Sequence, residues 1–131
     1  MTVELPLSSR PGGLDRLIGL RLTRADAERV DAVIAVTDDL LQGHGIVHGG
    51  VYCAIIETTA SVGASLRAGL DHRIVGISNR TNFRRATHEG TLTVTAEFAA
   101  DDDPRQLWSA TIHDDRGRLV ADGQVHLMRL E

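Results

Sequence analysis

Residues 47–66 read VHGGVYCAIIETTASVGASL, and this stretch decides the fold of the chain. After its pair of glycines the segment carries almost no charge, and its apolar residues cover nearly the whole circumference of a helix. A helix that is apolar all round is normally buried at the centre of a domain. We therefore predict a buried central helix over residues 51–66, which Gly69 and Asp71 end.

The chain on both sides of this helix has the alternating pattern of half-buried β-strands. One strand begins after Glu28, and four more are predicted at residues 74–83, 91–100, 106–113 and 119–130. Short polar turns separate the last strands, which makes them antiparallel neighbours. Residues 14–22 fit either a short helix or a strand, and residues 38–46 a turn or a single helical turn. The predicted fold class is α+β, an antiparallel sheet wrapped around one long helix. One helix leaves much of such a sheet uncovered, which favours a dimer.

Composition limits what the protein can be. Its 131 residues suffice for one domain, which we place at residues 14–131 after a flexible arm at residues 1–13. The single cysteine, Cys53, excludes an internal disulfide and a cysteine-based zinc site, and it is expected to pack as a small apolar residue. A net charge of −4 and only four aromatic residues argue against nucleic-acid binding.

All 14 basic residues are arginine, so chemistry that depends on lysine is excluded. No apolar run is long enough to cross a membrane, and the N-terminus lacks the pattern of a secretory signal. We therefore expect a cytoplasmic protein.

Glu57 stands in the middle of the most apolar segment of the chain. A buried carboxylate costs several kcal/mol unless it is paired or hydrogen-bonded. The positions three and four residues away, on either side, hold no arginine. Three interpretations remain open: a tertiary ion pair, a helix face that reaches water, or a functional carboxylate.

Gly49 and Gly50 open the same helix, where unpaired N–H groups and the helix dipole can stabilise a developing oxyanion. Eight residues separate Gly49 from Glu57, which is about 12 Å along a helix. One chain cannot easily aim both groups at a single carbonyl carbon. If they act together, the glutamate comes from the antiparallel helix of a partner, and dimerisation becomes a requirement of the chemistry.

Other polar residues surround these two. Ser61 lies one helical turn after Glu57, where it could hold a water, orient the carboxylate or simply pack as a small residue. Gln42 offers an amide donor, and His48 could fix the loop or hold a carbonyl. The four-residue spacing of His44 and His48 superficially suggests a pair of metal ligands. The glycines around them argue against the helix that such a pair needs, so we expect no metal.

These residues resemble the hotdog-fold acyl-CoA thioesterases, and most closely the branch containing 4-hydroxybenzoyl-CoA, 1,4-dihydroxy-2-naphthoyl-CoA and phenylacetate-pathway (PaaI-like) thioesterases. The resemblance covers roughly residues 40–130 and is carried by Gln42, residues 47–54, Glu57 and Ser61, and by residues 75–77, 82–85, 106–108 and 117–121. It implies a hotdog fold and a double-hotdog homodimer, with a tetramer built as a dimer of dimers as an alternative. It implies coenzyme A as part of the substrate and no other cofactor.

The resemblance also implies roles for residues. Gly49 would donate its N–H to the thioester oxygen with help from Gln42, and His48 would shape that site. Glu57 of the other subunit would attack the carbonyl or activate a water, assisted by Ser61. A glutamate here, where phenylacetate-type relatives carry aspartate, suggests an aryl substrate, with short or medium acyl groups also open. The positions matching coenzyme A or substrate contacts are Gly76, Phe83, Arg84, Arg85, Ala86, Arg105 and Gln106.

The turn at residues 101–104, Asp-Asp-Asp-Pro, departs from the glycine and basic residues that this family usually has there, and its charge would repel phosphates. Two other functions stay open. A non-catalytic acyl-CoA-binding module would bind ligand tightly without turnover. A hotdog hydratase or dehydratase is the remaining alternative, although no matching histidine–carboxylate motif stands out.

Overall fold

The computed structural model describes residue 5, residues 10–69 and residues 71–131. Two helices, α1 (Gly13–Ile18) and α2 (Gly49–Ala68), combine with six strands. The strands are β1 (Arg21–Ala25), β2 (Arg29–Ala35), β3 (Arg73–Phe83), β4 (Thr91–Asp102), β5 (Arg105–His113) and β6 (Leu119–Leu130). They form one antiparallel sheet in the order β1-β2-β4-β5-β6-β3. The α+β class, the long helix and the predicted strands are confirmed.

The core lies between α2 and the concave face of the sheet. In β2 and β4 fully buried apolar residues alternate with half-buried or exposed ones, so that Val30, Ala32 and Ile34 are buried, as are Leu92, Val94 and Ala96. The buried residues of α2 are Tyr52, Ile55, Ile56, Thr59, Ala60, Val62, Gly63 and Ala64. The helix ends at Gly69, whose backbone N–H donates to the carbonyl of Ser65 and whose φ of 100° suits glycine.

Gly63 lets α2 approach the sheet closely at Trp108. A Cβ at Gly63 would lie 2.3 Å from the Cη2 atom of the Trp108 ring, which is fully buried. The indole N–H of Trp108 donates to the side chain of Gln106 at 2.8 Å, and the Gln106 amide donates to the carbonyl of Ala64 at 3.2 Å. These two hydrogen bonds tie the sheet to α2 inside the core.

The prediction of a buried central helix is correct for the side of α2 that faces the sheet, whereas the other side is open in the single chain. Gly50 and Glu57 are exposed and Cys53 is partly so, because the sheet covers only the opposite side of the helix. β3 is one of the two edge strands of the sheet, and its Val75 and Ile77 are 39% and 49% exposed.

The beginning of the chain differs from its prediction in detail. Residues 14–22 contain both predicted alternatives, since α1 is followed by β1, and residues 38–40 form a single 3-10 turn. Most of the predicted arm at residues 1–13 lies outside the described residues. Within the described part, Leu5 is buried and Gly13 already belongs to α1. None of the helices that the structure describes has the length and apolarity required to span a membrane.

Candidate active site

The first turn of α2 holds a backbone donor that no described residue uses. His48 is the N-cap of the helix, and its Nδ1 accepts a hydrogen bond from the Gly50 N–H at 2.8 Å. A neutral His48 therefore carries its proton on Nε2. Within the described part of the chain, the Gly49 N–H has no hydrogen-bond acceptor. It lies at the positive end of the helix dipole, where negative charge is stabilised.

The Phe83 ring explains why residue 49 is glycine. A Cβ at Gly49 would lie 2.6 Å from Cζ of Phe83, closer than real Cβ contacts. Phe83 is 58% exposed and packs on Tyr52 with the ring centroids 5.9 Å apart. Burial raises the pKa of the Tyr52 phenol, so this residue stays neutral and acts as a packing support. The structure thus brings together Gly49, whose N–H is predicted to donate to the thioester oxygen, and Phe83, which is predicted to contact coenzyme A or the substrate.

Gln42 belongs to the short loop that leads into α2. Its backbone N–H donates to the carbonyl of Ile46 at 2.8 Å, and its side-chain oxygen accepts from the backbone N–H of His44. This use of the oxygen leaves the amide NH₂ as the outward donor of the side chain. His48 is fixed to the same loop, since its N–H donates to the carbonyl of Leu40 at 2.9 Å.

Glu57 projects from the open side of α2 and lies against β3 at Gly76. A Cβ at Gly76 would lie 3.3 Å from Cδ of Glu57. The carboxylate is exposed and forms no hydrogen bond or ion pair with any residue that the structure describes. A tertiary ion pair between Glu57 and any described residue is therefore excluded. The second interpretation, a helix face that reaches water, is correct for the single chain.

The carboxylate opens into a groove of about 160 Å³, which we call the Glu57 groove. Ser61 lines it on the same side of α2, as predicted from its spacing. The groove is lined by Arg10, Pro11, Asp15, Glu57, Thr58, Ser61, Val62, Ser65 and Ile74. Sequence reasoning missed Arg10 and Asp15, because nothing in the sequence indicates that the segment around α1 meets α2 here. It also missed Thr58, which directly follows Glu57.

Gly49 and Glu57 remain separated within one chain. The helix that carries them is continuous from Gly49 to Ala68, so eight residues correspond to about 12 Å of rise. The single chain therefore presents the Gly49 N–H and the Glu57 carboxylate about two helical turns apart on α2.

The arginines predicted to contact coenzyme A have different surroundings. Arg84 is paired with Asp122, with Nε 3.0 Å from Oδ2, and this guanidinium together with the Asn82 amide lowers the pKa of the Asp122 carboxyl. Arg85 and Ala86 line a second, larger pocket of about 670 Å³ near residues 114–118. Arg105 is exposed at the start of β5.

Gln106 does not have the exposure that a substrate contact needs. Its side chain is buried, and both ends of its amide are used by the hydrogen bonds to Trp108 and Ala64. Strand alternation explains why Gln106 is buried, because residues 106, 108, 110 and 112 all point into the core. The geometry thus favours a structural role for Gln106 over the predicted contact.

The acidic turn at residues 101–104 is less negative than its sequence suggests. Asp101 lies 3.2 Å from the guanidinium of Arg67, and Asp103 lies 2.7 Å from that of Arg129. Two of the three carboxylates are therefore paired. Among the described residues, no three His, Cys, Asp or Glu side chains come together as metal ligands.

Comparison with known proteins identifies the family. The sequence profile of the Thioesterase superfamily matches residues 44–121. A Mycobacterium tuberculosis protein, Rv1847, provisionally named an esterase, is 42% identical over 120 residues, which cover 89% of this chain and 86% of its own. Its solved structure has a TM-score of 0.87 to this one and covers 90% of this chain and 96% of that chain.

Two further relatives agree with this assignment. The crystal structure of S. sahachiroi AziG is 42% identical, with a TM-score of 0.89 over 93% of this chain and 99% of that chain. The 1,4-dihydroxy-2-naphthoyl-CoA hydrolase of Listeria monocytogenes is 28% identical over 82% of this chain and 88% of its own. The chain belongs to the thioesterase superfamily and has its hotdog fold, as the sequence indicated. It is a thioester hydrolase.

Proposed function

We propose that this protein hydrolyses an acyl-CoA thioester to the free acid and coenzyme A, with Glu57 as the reacting carboxylate. The observation that carries this proposal is Glu57 itself: a carboxylate without a partner among the described residues, on the open side of an apolar helix. Ser61 lies beside it in the Glu57 groove, and the same helix begins with the unused N–H of Gly49. A nucleophile or base and an oxyanion donor are what thioester hydrolysis requires.

The proposed active site is completed by a second copy of the chain. The open edge of β3 spans 11 residues, and such an edge readily pairs with another strand. Antiparallel pairing of β3 with the same strand of the partner would continue the sheet and cover Val75 and Ile77. It would also set the two α2 helices antiparallel across the dimer, with Gly49 of one chain facing Glu57 of the other.

The proposed reaction uses these groups in turn. Glu57 either removes a proton from a water, which then attacks the thioester carbonyl, or attacks the carbonyl itself to form an anhydride that water opens. The carbonyl oxygen becomes an oxyanion held by the Gly49 N–H with the Gln42 amide. When the oxyanion collapses, the carbon–sulfur bond breaks. On the general-base route the thiolate of coenzyme A leaves with the proton that Glu57 took from the water. On the anhydride route it leaves as the thiolate, and the water that then opens the anhydride supplies the hydroxyl of the free acid and the proton of the thiol, which restores the Glu57 carboxylate.

The proposed substrate carries an aryl or a short to medium acyl group. The relative named as a 1,4-dihydroxy-2-naphthoyl-CoA hydrolase supports the aryl class. Arg85 is the arginine better placed for a phosphate of coenzyme A, since Arg84 is already paired with Asp122.

The first experiment measures coenzyme A release from a panel of aromatic and aliphatic acyl-CoAs with a thiol reagent. We expect Glu57→Gln to lose at least about 100-fold in kcat, which is typical of one acid–base or nucleophilic group. Glu97→Gln, an exposed glutamate on the outer face of β4, is the matched control and should retain wild-type turnover. Wild-type turnover by folded Glu57→Gln would contradict the mechanism. Tight binding without any turnover would favour the binding module.

A second experiment tests the shared site by complementation. In Gly49→Ala the added Cβ would lie 2.6 Å from the Phe83 ring and displace the oxyanion donor, so we expect this variant to be inactive alone, like Glu57→Gln. The two chains are co-expressed with different tags. If each site takes Gly49 from one chain and Glu57 from the other, a random mixture recovers about a quarter of wild-type activity, because half the dimers have one intact site. A site built within one chain would recover none.

A further inference from the structure

The Glu57 groove has one wall that does not come from α2 or the sheet. Ser61 and Ser65 line it from α2 and Ile74 from β3, but the opposite side is formed by Arg10, Pro11 and Asp15. These residues belong to α1 and the segment that enters it. The size of the groove therefore depends on where α1 sits.

α1 is held in place mainly by hydrogen bonds. It has no fully buried residue, and its Leu14 and Leu17 are 62% and 83% exposed. Only its last residue, Ile18, packs partly against the core. Apolar burial thus contributes little to the position of the first turn of this helix.

One carboxylate makes the attachment. Oδ1 of Asp15 accepts a hydrogen bond from the Thr58 hydroxyl of α2 at 2.5 Å, and Oδ2 accepts from the Gly12 N–H at 2.9 Å. Asp15 therefore caps α1 and ties it to α2 with the same side chain. The attachment is next to the proposed reacting group, since Thr58 directly follows Glu57, and the β-branched Thr58 has few rotamers.

We propose that α1 and residues 10–12 form a wall of the acyl-binding site, and that the Asp15–Thr58 hydrogen bond sets its width and thereby the acyl specificity. This inference rests on the proposed function of Glu57. Asp15 and Thr58 are positioning residues, because both oxygens of the carboxylate are used within the chain.

The volume of the groove gives the substrate class. A cavity of about 150 Å³ accommodates a benzene molecule. The Glu57 groove, at about 160 Å³, thus matches an acyl group of one aromatic ring or similar size. A two-ring acyl group exceeds this volume, so with α1 held in place we expect single-ring acyl-CoAs to be preferred over two-ring ones.

The test compares benzoyl-CoA with 2-naphthoyl-CoA as substrates of three variants. Thr58→Val removes the hydroxyl with little change of shape, Thr58→Ser keeps it, and Leu17→Ala changes the outward side of the same helix. We expect Thr58→Val to lower the ratio of kcat/KM for benzoyl-CoA over naphthoyl-CoA by about tenfold, mainly through KM. Thr58→Ser and Leu17→Ala should keep the wild-type ratio. The melting temperatures of all three variants should stay within a few degrees of that of the wild type.

A wild-type ratio in folded Thr58→Val and in folded Asp15→Ala, which removes the acceptor of the Thr58 hydroxyl, would overturn the inference. The two proposals fail differently. If wild-type turnover depends on Glu57 but the ratio does not move, only the role of α1 is refuted. If Glu57 proves dispensable, calorimetric affinities of non-hydrolysable thioether analogues of the two substrates still test the wall, and an unchanged affinity ratio in Thr58→Val would reject it.

Discussion

Gly76→Ala tests whether the Glu57 carboxylate lies where the structure places it. The added Cβ would be 3.3 Å from Cδ of Glu57 and 3.5 Å from its Cγ and Oε2. Gly76 does not have a positive φ, so its backbone accepts alanine without strain. The substitution therefore moves the carboxylate and leaves the strand intact.

The expected magnitudes of the two effects differ. Ordinary carbon contacts begin near 3.4 Å, so the exposed end of Glu57 needs to retreat by only a few tenths of an ångström. This costs little stability, and replacing glycine by alanine at a compatible position adds about 0.4–1 kcal/mol to the free energy of unfolding. Catalysis is more sensitive, because a displacement of about 1 Å can cost 100-fold. A shift of about a third to half of that corresponds to a four- to tenfold loss of kcat.

The assay measures kcat on the best acyl-CoA together with denaturant unfolding of the same preparation. We expect Gly76→Ala to be as stable as the wild type or slightly more stable, and its kcat to be four- to tenfold lower. In a Glu57→Gln background the same substitution should cause no further loss, because its effect acts through the carboxylate. A wild-type kcat in Gly76→Ala, or an equal loss without Glu57, would refute the reasoning.

Three other predictions concern the core, the pH dependence and the surface. Gly63→Ala places a Cβ 2.3 Å from the buried Trp108 ring and should reduce the free energy of unfolding by about 1–3 kcal/mol in urea titrations. Burial raises the pKa of the Asp114 carboxyl, but hydrogen bonds from Arg118 and from the Arg116 N–H outweigh this effect and lower the pKa below its usual 3.8. The stability it contributes is therefore present above that pH and lost on acidification, so Asp114→Asn should lower the melting temperature at pH 7 and match the wild type at low pH. Arg84→Ala should change KM by less than about twofold, because its guanidinium is already paired.

Much of the fold follows from periodicity. The alternation in β4 and the almost uncharged, apolar run in α2 decide their structures locally, and both elements were confirmed. What periodicity did not show is which side of α2 faces the sheet. Cys53 and Ala54 are as apolar as the residues on the buried side, so the pattern alone cannot distinguish contact with the sheet from a face left open in the single chain.

The site residues likewise fall into two groups: those close in sequence, which could be predicted, and those far apart in sequence, which could not. Ser61 was predictable beside Glu57, because residues four apart share a helix face. The wall opposite was not, since Asp15 and Thr58 are 43 residues apart and neither belongs to a recognisable motif. A groove that combines a motif-bearing helix with a wall from elsewhere in the chain allows the reacting residues to stay constant while the wall changes. On this reasoning, the sequence of α2 indicates which reaction is catalysed, whereas the sequence of α1 and the segment before it indicates which acyl group is accepted.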